Sequence, residues 1–172
     1  AYGVDFSFIP NGRQFGAGIQ TIVGDGSFGE YELAEILVGN FETNTSKIIS
    51  INSNGIYGNR DSVSPAISED GQFVVFASEA NNLVEGDTNS AWDIFLWDSQ
   101  AGGIQRIITG KDGSQSNGHS LGTDISGDGR YIIFTSTATN LVDGDFNLMR
   151  DVFIYDTQTK TTKRIEPMSC SQ

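Results

Sequence analysis

The sequence predicts an all-β fold built of three four-stranded antiparallel sheets, one for each repeat of about 58 residues. Three observations predict it. Ungapped matches recur between residues 67–107 and 125–165. Short β-branched and aromatic runs alternate with clusters of Gly, Asn, Asp and Ser, and the 172 residues include 21 Gly but only 3 Pro. No stretch carries a helical period.

The second and third copies justify the strands. Ile67, Ser68, Asp70 and Gly71 recur as Ile125, Ser126, Asp128 and Gly129. Gly86, Asp87, Asn89, Asp93, Phe95 and Asp98 recur as Gly144, Asp145, Asn147, Asp151, Phe153 and Asp156, and Arg106 recurs as Arg164. The middle copy reads as strands at Val63–Ser68, Gln72–Ser78, Asp93–Trp97 and Ile104–Ile108. The third reads as strands at Leu121–Ser126, Arg130–Ser136, Asp151–Tyr155 and Thr161–Ile165. Ser-x-Asp-Gly makes the first turn, and Asp98 and Asp156 open hairpins. A degenerate copy leads the chain. There "IPNGRQFGAGIQTIVGD" stands for "ISEDGQFVVFASEANNL" with a shift of about one residue, and "AEILVGNFETNTSKIIS" aligns with "WDIFLWDSQAGGIQRII".

Repeated units of four antiparallel strands are the pattern of β-propeller blades. The chain is expected to be a single propeller region over 1–172: a degenerate blade at about 1–58, a second at 59–116 and a third at 117–172. The repeats "ISEDGQFVVFAS…DIFLWD" and "ISGDGRYIIFTS…DVFIYD" resemble the WD40-like, TolB-type propeller repeats of bacterial exported proteins. The likeness covers about two thirds of the chain well. It implies a propeller fold and an extracellular or periplasmic location, and it says little of activity. The first residues, Ala-Tyr-Gly, suit a processed mature chain.

Three blades in an open row leave two apolar faces in water, which predicts assembly. The cover could be a second copy making six blades, another propeller or protein chain, or the rest of a longer propeller. Lys and Arg number 10 against 22 Asp and Glu, for a net charge of -12. That balance argues against nucleic acid and anionic membranes. No run of apolar residues is long enough for a membrane-spanning helix.

The repeated acids are the candidate site. Asp87, Asn89 and Asp93, with Asp145, Asn147 and Asp151, could supply oxygens to Ca²⁺. The same side chains could instead hold their loops by accepting backbone hydrogen bonds. Asp25 and Glu35 stand near the equivalent places of the first copy. Arg106 and Arg164 read as edge residues or local ion-pair partners. Trp92 could stack on a glycan if exposed, but packing against the next blade is the simpler reading.

Catalysis finds little support. His119 is the single histidine and Cys170 the single cysteine, so neither a zinc set nor a nucleophile–base pair assembles readily. Paired carboxylates also serve glycosidases, but acids repeated in copies of one loop suit a shared structural role better. The sequence therefore reads as a non-catalytic exported module for protein interaction or assembly. The alternatives are a glycan-binding oligomeric propeller and the accessory propeller of a larger hydrolase.

Overall fold

The computed structural model describes residues 6–8, 15–23, 32–40 and 42–166, with side chains from residue 33 onward. Asp25 and Cys170 lie outside the described residues. The described chain is all β, in three four-stranded antiparallel sheets whose strands follow sequence order. The first holds β1 (Phe6–Phe8), β2 (Phe15–Val23), β3 (Glu32–Asn40) and β4 (Thr45–Ile48). The second holds β5 (Ser62–Ile67), β6 (Phe73–Ser78), β7 (Asp93–Asp98) and β8 (Gly103–Arg106). The third holds β9 (Ser120–Ile125), β10 (Tyr131–Ser136), β11 (Asp151–Asp156) and β12 (Thr161–Arg164). Strand bounds in the second and third sheets fall within two residues of the sequence expectation.

The middle blade buries both faces. Val74, Phe76, Phe95 and Trp97 join Ile36, Val38 and Ile49 of the first blade in one core cluster. Val75, Ala77, Ile94 and Leu96 join Ile125, Ile132, Phe134 and Phe153 of the third in another. Alternate side chains of a strand point to opposite faces, so a blade held between two others needs apolar residues at every position. "FVVFA" and "IFLW" supply them. Register pairs Phe76 with Phe95 and Phe134 with Phe153, and each pair stacks, at 5.7 and 5.5 Å between ring centres. Each fully buried ring contributes on the order of 1.5–3 kcal/mol. The fourth strands β8 and β12 alternate exposed with half-buried residues, and β4 is exposed except for the half-buried Ile48, as outermost edges are.

Turn chemistry repeats with the blades. Ser68 Oγ donates to Asp70 Oδ1 and accepts the Phe73 amide; Ser126, Asp128 and Tyr131 do the same. Asp98 accepts the amides of Gln100 and Ala101, and Asp156 those of Gln158 and Thr159. Asn40 receives Glu42 and Thr43 in the same way, so the first blade keeps this cap with a neutral side chain. In the innermost strands a bulge recurs, with Ser64 at φ 54 and Gly122 at φ 65.

The first blade departs from expectation twice. Phe15 pairs with Asn40 as Phe73 pairs with Asp98 and Tyr131 with Asp156, so the strand alignment carries no one-residue shift. Strand pairing follows the aromatic residue, since Phe15 stands 58 residues before Phe73. Beyond that, Gln20 to Val23 continue to pair with Glu35 to Glu32. The hairpin lengthens where the other blades break into an acidic loop.

Gly129 decides a blade contact. Its φ is +70, and an added Cβ would lie 2.4 Å from Phe73 Cδ2 of the neighbouring blade. Gly129→Ala is expected to cost roughly 1–3 kcal/mol in urea unfolding. Gly86→Ala has a similar φ of +76 but open space, and should show only the backbone part of that loss.

Candidate functional site

The β6–β7 loop and the β8–β9 connection meet on one rim, as do the β10–β11 loop and its neighbours. Asparagines clamp them in pairs. Asn59 donates its amide N–H to Asn82 Oδ1 at 2.9 Å and receives the Asn81 amide at 3.1 Å. Asn117 donates to Asn140 Oδ1 at 3.1 Å and receives the Thr139 amide at 2.9 Å. Both Asn residues of each clamp recur at the repeat spacing.

The acidic loop converges as the sequence suggested, but around an arginine. Arg106 Nη1 stands 3.2 Å from Asp87 Oδ1 and 3.5 Å from Asp93 Oδ2. Asn89 Nδ2 donates to Asp93 Oδ2 at 3.0 Å and to the Ser116 carbonyl at 3.1 Å, while its Oδ1 accepts the Ala91 amide. The third blade repeats the set: Arg164 Nη1 lies 3.2 Å from Asp145 Oδ1 and 3.5 Å from Asp151 Oδ2, and Asn147 Nδ2 donates to Asp151. The arginine reaches inward because it sits on β8 or β12, beside the strand that begins with Asp93 or Asp151. The guanidinium stands between the two carboxylates of each loop. Among the described residues no group of three or more acidic, His or Cys side chains is arranged to hold a metal ion.

Burial dominates the electrostatics. Asp93 is fully buried, and desolvation pushes it up to about 6 against the hydrogen bond from Asn89 and the charge of Arg106. Asp87 is raised by burial as well, with Arg106 opposing. Burial prevails because the guanidinium is shared by both acids and Asp93 Oδ1 has no hydrogen-bond partner among the described residues. In the first blade Glu35 stands where Asp93 and Asp151 stand, but Ile48 replaces the arginine. Glu35 is fully buried, bonded to Ser50 Oγ, with Oε1 unpartnered among the described residues. Burial raises it to about 7, and the charge of Asp61 adds to the rise.

Three further residues carry the site. Gln115 Oε1 accepts the amides of Thr88 and Asn89 and Arg106 Nη1, and its Nε2 donates to the Gly86 carbonyl at 2.7 Å. His119 Nδ1 accepts the Trp92 amide at 3.2 Å, and Asp61 Oδ1 accepts the Ala34 amide at 3.0 Å at the equivalent place one blade earlier. Repetition could not reveal Gln115, since its first-copy counterpart is Tyr57. Trp92 is half-buried against the core, Trp97 is buried with Lys47 Nζ 4.9 Å from its ring centre, and Tyr155 is buried. Two outer clefts lie between adjacent blades: one of about 870 Å³ between the second and third, lined by Leu141, Tyr155 and Lys163 among others, and one of about 790 Å³ between the first and second, lined by Leu83 and Trp97. No helix among the described residues is long and apolar enough to cross a membrane.

No protein-family model matches the chain, and no curated protein matches it. Solved structures do. The putative TolB from Agrobacterium tumefaciens superposes at a TM-score of 0.60 with 19% identity over 96% of this chain. The β-propeller domain of the Trilobed protease from Pyrococcus furiosus, of open velcro topology, gives 0.57 and 15% over 91%. An acylaminoacyl peptidase from Pyrococcus horikoshii gives 0.55 and 14% over 97%. The chain spans 46%, 40% and 26% of those chains respectively, under half of each. With this likeness and three sheets in sequence order, the chain has the β-propeller fold and is similar in structure to TolB-type propellers.

Proposed function

We propose that this chain is a non-catalytic module of an exported β-propeller protein, serving as a scaffold for protein interaction and assembly. The observation that carries the reading is the closure of each repeated acidic loop by its own arginine. The conspicuous acids are thereby committed to holding the rim in shape. Glu35 and Asp93, whose raised pKa values would suit general acids, are fully buried and line neither outer cleft. His119 Nδ1 is engaged by a backbone amide. What remains on offer is the loop rim and an exposed apolar sheet face on the third blade.

A second reading, the accessory propeller of a larger hydrolase, draws on the peptidases among the matched folds. A glycan site receives less support, because Trp92, Trp97 and Tyr155 are turned into the packing rather than presented as platforms. Native mass spectrometry and thermal unfolding, each with EDTA and with added Ca²⁺, test the scaffold reading. Association and Tm are expected to be indifferent to both additions. A fold or assembly lost in EDTA and rescued by Ca²⁺ would replace the arginine-closed loop by a calcium site. A monodisperse monomer that binds no hydrophobic dye would remove the assembly role.

A further inference from the structure

The third blade repeats the residues by which the second blade holds its neighbour, and leaves them uncovered. Phe73, Val75, Ala77, Ile94 and Leu96 of the second blade pack in the core cluster shared with the third. Their counterparts at the repeat spacing are Tyr131, Ile133, Thr135, Val152 and Ile154. Val75 is 0% exposed, whereas Ile133 is 42% exposed; Ile94 is 0% and Val152 39%. A contiguous apolar face of this kind marks an interface. The adjoining loop is incomplete in the same sense. Gln115 gathers the amides of Thr88 and Asn89 in the second blade, and among the described residues no side chain does this for Phe146 and Asn147. Arg164, whose counterpart Arg106 also bonds Gln115, turns to Glu166 instead. Phe146, Leu148 and Met149 stand exposed beside it.

Resting on the assembly role proposed above, we propose that this face takes one more propeller blade, brought in by a connection bearing a side-chain amide, and that the blade is not the first blade of a second copy. The second blade is covered through Ile132, Phe134 and Phe153. Strand register puts Gly16, Gly18 and Leu37 at those positions of the first blade. Two glycines in place of Ile and Phe leave the bulk of that packing unsupplied, so a six-blade ring of two copies lacks a filled seam where blade three would meet blade one. The required partner is a four-stranded sheet with β-branched and aromatic residues at the Ile132 and Phe134 positions.

The repeat supplies the probe. A copy of residues 115–166 joined directly after Gln172 continues the spacing, so that a copied Gln115 falls where the β10–β11 loop needs it. The full chain and this extended chain are compared by hydrophobic-dye fluorescence, native mass, thermal unfolding and hydrogen exchange. The extended chain is expected to gain Tm and remain a monomer, with the amides of Ile133 and Val152 in the resident blade protected from hydrogen exchange, while its dye fluorescence stays near that of the full chain because the appended copy presents the same face. Ile133→Lys in the resident third blade should cancel the gain, as should Ile132→Gly with Phe134→Gly in the appended copy. An unchanged Tm in the extended chain, with Ile133 and Val152 of the resident blade exchanging as freely as in the full chain, would overturn the proposal. So would a discrete dimer of the unextended chain that Ile133→Lys dissociates, an outcome that leaves the assembly role standing. A dye-silent, monomeric unextended chain would instead remove the assembly role itself.

Discussion

Arg106→Met is expected to lower the unfolding free energy by about 3–5 kcal/mol, the loss that follows when one partner of a buried ion pair is removed. Two carboxylates share this guanidinium, and their side chains are 4% and 0% exposed. Without it Asp87 and Asp93 would face each other in a poorly solvated loop, and Asn89 alone cannot neutralise them. Gln115 would lose a donor as well. Urea unfolding measures the loss directly. Arg164→Met should cost less, because Asp151 is 23% exposed and water can take up part of the charge. A triple substitution of Asp87→Asn, Asp93→Asn and Arg106→Met should recover much of the loss, since it removes the buried charges together. If Arg106→Met and Arg164→Met proved equally mild, the arginine closure of the loop would be an incidental surface pairing.

The second large effect is on pH. Glu35 titrates at about 7 in the folded chain against 4.5 unfolded, so the folded state holds its proton more tightly. Stability from this group is fully present below pH 4.5 and declines as pH rises to about 7, where it is spent. The decline amounts to about 3 kcal/mol by linkage. Asp93 acts in the same direction between 3.8 and about 6. Glu35→Gln keeps the shape and abolishes the titration. The difference in unfolding free energy between the wild type and Glu35→Gln should therefore shift in favour of the variant as pH rises from 4.5 to 7. A difference independent of pH would mean that Glu35 is ionised and satisfied in the fold. The physical cause is the missing arginine: at the place of Arg106 and Arg164 the first blade has Ile48, and Ser50 is the polar partner left to the carboxyl.

Repetition made most of the fold legible. Matched residues such as Ser68 and Ser126, or Phe95 and Phe153, set the blades, turns and strand faces, because a copied local rule leaves a copied pattern. The acidic loop was legible as a cluster for the same reason. Its partner was legible only as an edge or local ion-pair residue: Arg106 lies 13 residues beyond Asp93 in sequence, and only the β7–β8 hairpin folds it back over the loop. Gln115 escaped for a different cause, since it occurs in one copy. The first blade was least legible. The strand alignment that Phe15 preserves reads from sequence with a shift of about one residue, and nothing local announces that β2 and β3 continue pairing where the other copies diverge.

By itself the sequence determined the all-β class, the repeat, the four-strand unit and the identity of the residues on each face. These follow from period, turn residues and apolar alternation, which act over a few residues at a time. Tertiary structure decided which cation the acids meet, which loop each connection caps and which apolar face is left open. Those depend on distances between segments far apart in the chain. A carboxylate is the same letter whether it faces calcium, a guanidinium or, as Glu35 does, a buried serine.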